Sequence, residues 1–391
     1  MSPSLPLVTT AERRDRLGRR HRLAPSARAA TVPQAADAVV ALHATDAATV
    51  FLSARARLAE GGPEAVERAL YEDVSLVRLL SMRNTLFAVS AELAPYVDSS
   101  TSRAIALKER RTLLKHLDED GQGLDAEWLA LAEASALDAL DARGPSTGSQ
   151  LSAAVPALRQ KITIGRGKKY ETETGVATRV IRLLAADGRI RRDRPRGSWT
   201  SSQYRWVHTE PWPPVSAPEA RAEIARRWLQ AYGPASEADL KWWTGWTLTD
   251  VRKALAAVGP EQVRLDDGTT ALVCPGDTAP EPATEPWAAL LPGLDPTAMG
   301  WADRGFHLDP EHRSALFDYA GNIGPTVWWN GEIVGGWAQR ADGEIVWRLL
   351  GSPGRDAEEA VTAEADRLAG WLGEARITPR FRTPLERELV A

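Results

Sequence analysis

The feature that most constrains this chain is an octapeptide pattern that occurs twice. Gly144-Pro145-Ser146-Thr147-Gly148-Ser149-Gln150-Leu151 matches Gly233-Pro234-Ala235-Ser236-Glu237-Ala238-Asp239-Leu240. In both copies Gly-Pro ends a preceding helix, and a hydroxyl residue follows that can cap a new one. After the second copy the spacing predicts a short helix over 236–243, a turn at Gly245, and a helix over 249–257 capped by Thr249. The segment 262–273 reads as a hairpin turned by Asp267-Gly268. Helix, turn, helix and hairpin in that order form a winged helix. The first copy predicts a helix from Ser146 or Thr147 through Leu158, a basic loop at Gly165–Lys169, a helix over 174–187 stopped by Gly188, and a hairpin over 189–207. Residues 1–100 carry a weaker form of the same pattern.

From residue 280 onward short β-like runs take over, at 288–291, 326–330, 332–338 and 344–350, with Asn330-Gly331 as a hairpin turn and a helix over 357–373. The expected fold class is α+β: three tandem winged helix-turn-helix units followed by a C-terminal antiparallel β-barrel-like domain. The expected units are 1–130, 131–215, 216–280 and 281–391.

Net charge is −4, which taken as an average argues against a nucleic-acid partner. The average hides a local excess. Residues 159–205 hold thirteen Lys or Arg against four Asp or Glu. An excess of that size is the footprint of a phosphate-backbone contact, or else a solvated arginine-rich face. Of the 15 tryptophans only Trp128 precedes residue 150. Such numbers point to core and inter-domain packing, with base stacking a second use. The lone Cys274 excludes an internal disulfide and a cysteine-rich zinc site. No apolar run is long enough to span a bilayer and no secretory leader is evident, so a cytoplasmic protein is expected, with no membrane partner.

Searches for phosphate-binding loops, dinucleotide fingerprints, zinc-protease or deaminase motifs and nucleophile elbows all fail, so no metal and no cofactor is expected. One cluster remains, Leu42-His43-Ala44-Thr45-Asp46, between a helix whose apolar face holds Ala36, Val39, Val40 and His43 and a second helix starting at Ala47. Two readings are open. Thr45 or Asp46 is an N-cap and His43 a helix C-terminal histidine; or His43, Thr45 and Asp46 together hold and activate a water.

Several stretches carry a family resemblance: ALHATDAATVFLSARARL (41–58), MRNTLFAV (82–89), YGPASEADLKWW (232–243), LPGLDPTAMGWADR (291–304) and PTVWWNGEIVGGW (325–337). With these the chain resembles the AlkZ/YcaQ-like winged-helix DNA glycosylases. The resemblance implies three winged helices and a β-barrel around a cationic DNA cleft. It also implies monofunctional excision of alkylated purines from double-stranded DNA, N7-alkylguanine, bulky adducts and interstrand crosslinks among them. In that family a Gln-x-Gln or Gln-x-Asp motif positions the hydrolytic water. His43 falls on its first position and Thr45 on its second, and Asp46 lies one place beyond, so this chain departs from the family at those residues. His43, Asp46 and Thr45 are therefore the catalytic candidates. Arg83, Arg166, Lys168, Lys169, Arg189, Arg191, Arg192, Arg194 and Arg196 are the DNA-binding candidates. With an ordinary histidine pKa near 6.5, excision should rise with pH between about 6 and 8. The alternative is a non-catalytic winged-helix DNA-binding protein, a lesion sensor or transcription factor. Three winged helices in one chain need no dimer to span a duplex, so a monomer is expected.

Overall fold

The computed structural model describes residues 4–120 and 122–391. The chain folds as a mixed α+β protein in which residues distant in sequence share one core. That core runs from Leu17 through Phe51, Val89, Trp228 and Trp243 to Trp328 and Leu389. A second, separate core lies beneath the basic segment and draws on Leu113, Leu117, Leu137, Leu151, Val180, Leu184 and Ile190. The helix Arg103–Asp120 thus packs with the segment after residue 131.

Both copies of the octapeptide start helices as their chemistry dictates. Thr147 accepts from the Gln150 N–H while the Gln150 side chain accepts from the Thr147 N–H. Ser236 and Asp239 exchange the same pair of bonds. Each reciprocal pair satisfies two helix-end donors. The later helix, Leu248–Val258, is capped by Thr247 through the Asp250 N–H and not by Thr249 as the spacing suggested. The first-copy helix stops at Ala154, because Pro156 lacks the N–H to continue it, and a 3₁₀ turn over Pro156–Arg159 follows. The basic loop expected at 165–169 sits at the tip of a hairpin, Lys161–Ile164 with Thr172–Gly175. The helix expected from 174 begins at Ala177. The next hairpin pairs Ile190–Pro195 with Tyr204–His208.

The C-terminal strands form where the alternation placed them: Ala288–Leu291, Thr326–Trp329, Glu332–Gln339 and Ile345–Leu349, paired antiparallel in chain order. Helix Arg355–Leu372 buries Val361, Ala365 and Leu368 against them. The expected barrel does not close: among the described residues the outer strands Ala288–Leu291 and Ile345–Leu349 each have one neighbour. A covering helix on one face removes the need for closure.

Leu7–Val8 adds a parallel strand to Glu261–Leu265, and Val8 is buried among Val263, Leu265, Ala271 and Val273. Among the described residues no helix is long and apolar enough to cross a membrane.

Candidate functional site: an arginine-lined cavity with a neutral histidine

The cluster around His43 is built differently from its helical reading. The helix Val32–Asp37 ends early, and Val40 turns the backbone left-handed with φ of 63°. The chain then enters a short strand, Leu42–His43, at the edge of a three-stranded sheet with Thr85–Ser90 and Leu76–Ser81. His43 is placed opposite Phe87, their rings edge to face at 5.2 Å. Its helix-C-terminal reading is therefore withdrawn. Asp46 caps the next helix, Ala47–Arg55, through the Ala48 N–H at 3.0 Å. Its other oxygen accepts the Arg380 N–H at 2.9 Å.

His43 is buried, 5% exposed. Burial, with the Arg83 charge second, lowers its pKa to about 3. The imidazole is neutral throughout the physiological range. The expected rise of rate between pH 6 and 8 therefore does not apply: the titration that would cause it has moved several units lower. The Thr45 N–H donates to Nδ1 over a long 3.5 Å. The proton of the neutral ring is then on Nε2, which makes no hydrogen bond among the described residues.

His43 and Thr45 line a cavity of about 490 Å³, within the range of roughly 300–1,000 Å³ typical of small-ligand sites. Five arginines line it as well, Arg78, Arg182, Arg191, Arg192 and Arg380, and no carboxylate does. Its walls come from the His43 sheet, the helix Ala177–Ala186, the 190–208 hairpin, and the segments around Leu294, Asn322 and Phe381. Asp46 faces a smaller neighbouring recess with Thr49, Leu52, Trp337 and Ile377, separated from the cavity by Leu294, Arg380 and Phe381, which border both. The structure brings His43 and Thr45 together in one cavity and leaves Asp46 behind its wall.

The basic candidates divide in the same way. Arg191 and Arg192 reach the cavity. Arg194 is paired with Glu72 and, at 3.5 Å, with Glu67. Arg189 lies 3.6 Å from Glu133. Arg166 bonds Asp120 at 3.1 Å. Lys168 leans over Tyr170, and Lys169 is exposed with no ion pair among the described residues, both on the outer hairpin tip. Arg196 is exposed beside an outer recess with Gln203 and Tyr204.

Arg83 sits at the tip of the Leu76–Ser90 hairpin in the left-handed region, φ 54°, followed by Asn84 at 58°. Its guanidinium lies 4.3 Å from the Trp242 ring centre, with Arg304 4.9 Å from the same ring. Burial lowers both pKa values to about 10, so both remain cations at neutral pH. Gly245 makes this approach possible: it is left-handed at φ 74°, and an added Cβ would stand 3.3 Å from the Arg83 nitrogen.

Sequence reasoning missed Arg78, Arg380, Asn84 and Asn322 as cavity residues. Arg182 and Trp206 were visible only as members of a charge count and a tryptophan count. Arg182 bonds Asn84 at 3.1 Å and so joins the helix Ala177–Ala186 to the Arg83 hairpin tip. Among the described residues no cluster of His, Cys, Asp and Glu could hold a metal ion.

Comparison with known proteins gives three findings. A family model described as DNA glycosylase AlkZ-like matches residues 36–371. The interstrand DNA cross-link repair glycosylase of Streptomyces sahachiroi is 32% identical over 170 residues, which cover 42% of this chain and 46% of that relative, less than half its length. The solved structure of Streptomyces sahachiroi DNA glycosylase AlkZ superposes with a TM-score of 0.68 over 95% of this chain and 98% of its own, at 22% identity, a likeness of fold.

Proposed function

The chain belongs to the AlkZ-like family of DNA glycosylases, and from that premise we propose that it is a monofunctional glycosylase hydrolysing the N-glycosidic bond of alkylated purines in duplex DNA. N7-alkylguanine is the substrate core, with bulky adducts and interstrand crosslinks as its larger forms; the Streptomyces relative is named for crosslink repair. The observation that carries this reading is the cavity itself: five arginines, no carboxylate, and a neutral histidine among them. The helix–turn–helix–hairpin order around residues 147–208 and 236–273 supports tandem winged helices, with a first unit ahead of residue 100. The second core supports a join near residue 103.

An N7-alkylated purine is already cationic and leaves readily. Its departure leaves an oxocarbenium ion on the sugar. That ion reacts with water without a strong base, so the protein has to place the water and avoid adding positive charge. His43 meets both needs. Kept neutral by burial, it adds no charge, and Nε2–H can hold the oxygen of a water whose other lone pair faces the sugar; as that water bonds C1′ and the neutral purine leaves, its surplus proton passes to solvent through the open cavity. Thr45 fixes the tautomer through its N–H and lines the same cavity. Asp46 acts as a positioning residue: its two oxygens hold the helix start and residue 380, and with them the loop that carries His43 and Thr45. Arg191 and Arg192 contact DNA in the cavity, and Arg83 at its edge. Arg166, Lys168, Lys169, Arg189, Arg194 and Arg196 form an outer cationic rim whose paired members contribute mainly steering.

The test is a duplex bearing 7-methylguanine or a bulky N7 adduct, incubated with protein and then treated with alkali to cut abasic sites. Wild-type protein should give strand breaks, and His43→Ala should give at most a hundredth of them while still binding. Tight binding with no breaks on any adduct would instead establish the non-catalytic lesion sensor, a reading favoured by one observation, His43 and Thr45 in place of the family's Gln-x-Gln or Gln-x-Asp motif.

A further inference from the structure

Arg78, Arg192 and Trp206 in the cavity wall belong to a column of alternating cations and rings that runs across the boundary between the two cores. Arg194 stands 5.7 Å from the Tyr71 ring centre and Arg78 5.6 Å from it. Arg78 is also 5.3 Å from Tyr204, and Arg192 4.3 Å from Tyr204 and 5.7 Å from Trp206. Arg194 is discharged by Glu72. Arg78 and Arg192 take part in no ion pair among the described residues, nor does Arg191, which lines the same cavity.

Arg78 is the unusual member. It is 9% exposed and comes from the middle of a strand. Its Nη1 donates to the Tyr71 hydroxyl at 2.9 Å, while Nε and Nη2 are buried with no partner. The Nη1 of Arg191 is likewise buried and unpartnered. Buried guanidinium donors are costly to leave unmade. Stacking explains how the column holds these groups in place but not what satisfies them. Rings cover the faces of a guanidinium, and its N–H edge is what a phosphate takes in bidentate fashion; the Nε and Nη2 of Arg78 are closed off in this conformation, so a phosphate entering the cavity reaches that edge only after a small side-chain shift. Burial and the neighbouring Arg78 charge also hold the Arg192 pKa below its usual value, the state of a cation that lacks its anion.

We propose that Arg78, Arg191 and Arg192 together take a phosphate at the wall of the His43 cavity, and that this ligand is a backbone phosphodiester beside the damaged nucleotide. The second clause rests on the glycosylase reading; the first does not. The pocket draws Arg78 from the sheet that carries His43 and the other two arginines from the 190–208 hairpin, so one phosphate bridges the two cores. A cavity with five arginines would repel a developing oxocarbenium; a phosphate in this pocket offsets that charge only when DNA is seated.

Two arms test the proposal. In the first, thermal unfolding is followed in rising inorganic phosphate against sodium chloride of equal ionic strength. Wild-type protein should show a saturable rise in melting temperature that Arg78→Met lacks and Arg78→Lys largely lacks. An equal rise in Arg78→Met means an adventitious ion only, and overturns the pocket. In the second, binding to a 7-methylguanine duplex is measured in the His43→Ala background, with single neutral methylphosphonates stepped along each strand. One or two positions should cost about tenfold in affinity. Arg78→Met should lose about tenfold on unmodified DNA and nothing further at those positions. A phosphonate effect equal in both proteins, or spread evenly along the strand, overturns the backbone assignment. Arg192→Met carries the same two arms if Arg78→Met does not fold. Neither arm reads excision, so a failed glycosylase assay and a failed phosphate pocket are distinguished.

Discussion

Acidification should destabilise this protein through histidines that it keeps neutral, and His43 allows the share of one to be measured. In the unfolded chain a histidine has a pKa near 6.5. In the fold burial, with Arg83, lowers His43 to about 3, and burial, with Arg57, lowers His21 to about 3. Between those values the unfolded chain binds a proton that the folded one refuses. Stability is therefore whole above pH 6.5, falls as pH drops below it, and stops falling near 3. At pH 5 the chain stands 1.5 units below the unfolded value, and at about 1.36 kcal/mol per unit each such histidine costs about 2 kcal/mol. His307, fully buried and also well below its ordinary value, pulls the same way. The perturbation is His43→Gln, which keeps a polar side chain of similar reach and removes the titration. Guanidinium unfolding followed by tryptophan fluorescence at pH 7.5 and pH 5 gives both losses. Wild-type protein should lose about 2 kcal/mol more than His43→Gln. Equal losses, or an NMR titration of His43 centred near 6.5, would refute both the acid argument and the claim that His43 stays neutral during excision. An excision rate that is flat between pH 6 and 8 is the matching expectation for activity.

Arg57 and Asp295 form a pair 2.7 Å apart with neither side chain exposed, and Asp295 also accepts from Ser53 and the Thr297 N–H. Arg57→Ala should cost ~3–5 kcal/mol in chemical denaturation, because it strands a buried carboxylate. Gly245→Ala should cost ~1–2 kcal/mol for the left-handed backbone and should shift the near-ultraviolet signal of Trp242 as Arg83 is displaced. Burial pushes the Cys274 thiol up to about 11, so native protein at pH 8 should leave Ellman's reagent nearly uncoloured and release one equivalent in denaturant.

Caps and hairpins were legible because their chemistry is local. Thr147 with Gln150, Ser236 with Asp239, Asp267-Gly268 and Asn330-Gly331 each declare a backbone geometry within four residues. The four C-terminal strands followed from alternation, and the absent barrel closure did not, since closure depends on strand partners no local pattern specifies. The end of the helix before His43 was illegible: a β-branched residue, Val40, is forced left-handed by tertiary packing against its own preference. His43 itself was visible as a polar residue in an apolar run, but its burial, and hence its neutrality, comes from Phe87 and the sheet around it. Arg78 was the least legible. One arginine within Leu-Val-Arg-Leu-Leu reads as a solvent-facing strand position, and Tyr71 on the helix before it together with Tyr204 of a hairpin far along the chain turn it into a buried cation.

The parallel pairing of Leu7–Val8 with Arg264–Leu265 is secured by Thr10 on Asp266 at 2.6 Å, a bond between residues 256 apart in the chain. During synthesis at roughly 5–20 residues per second, the opening strand must wait tens of seconds for its mate to leave the ribosome. Until then Val8 lacks Val263, Leu265, Ala271 and Val273 to bury against. The strand Leu7–Val8 is therefore made early and locked late, and its exposed edge is one that a chaperone could cover in the interval.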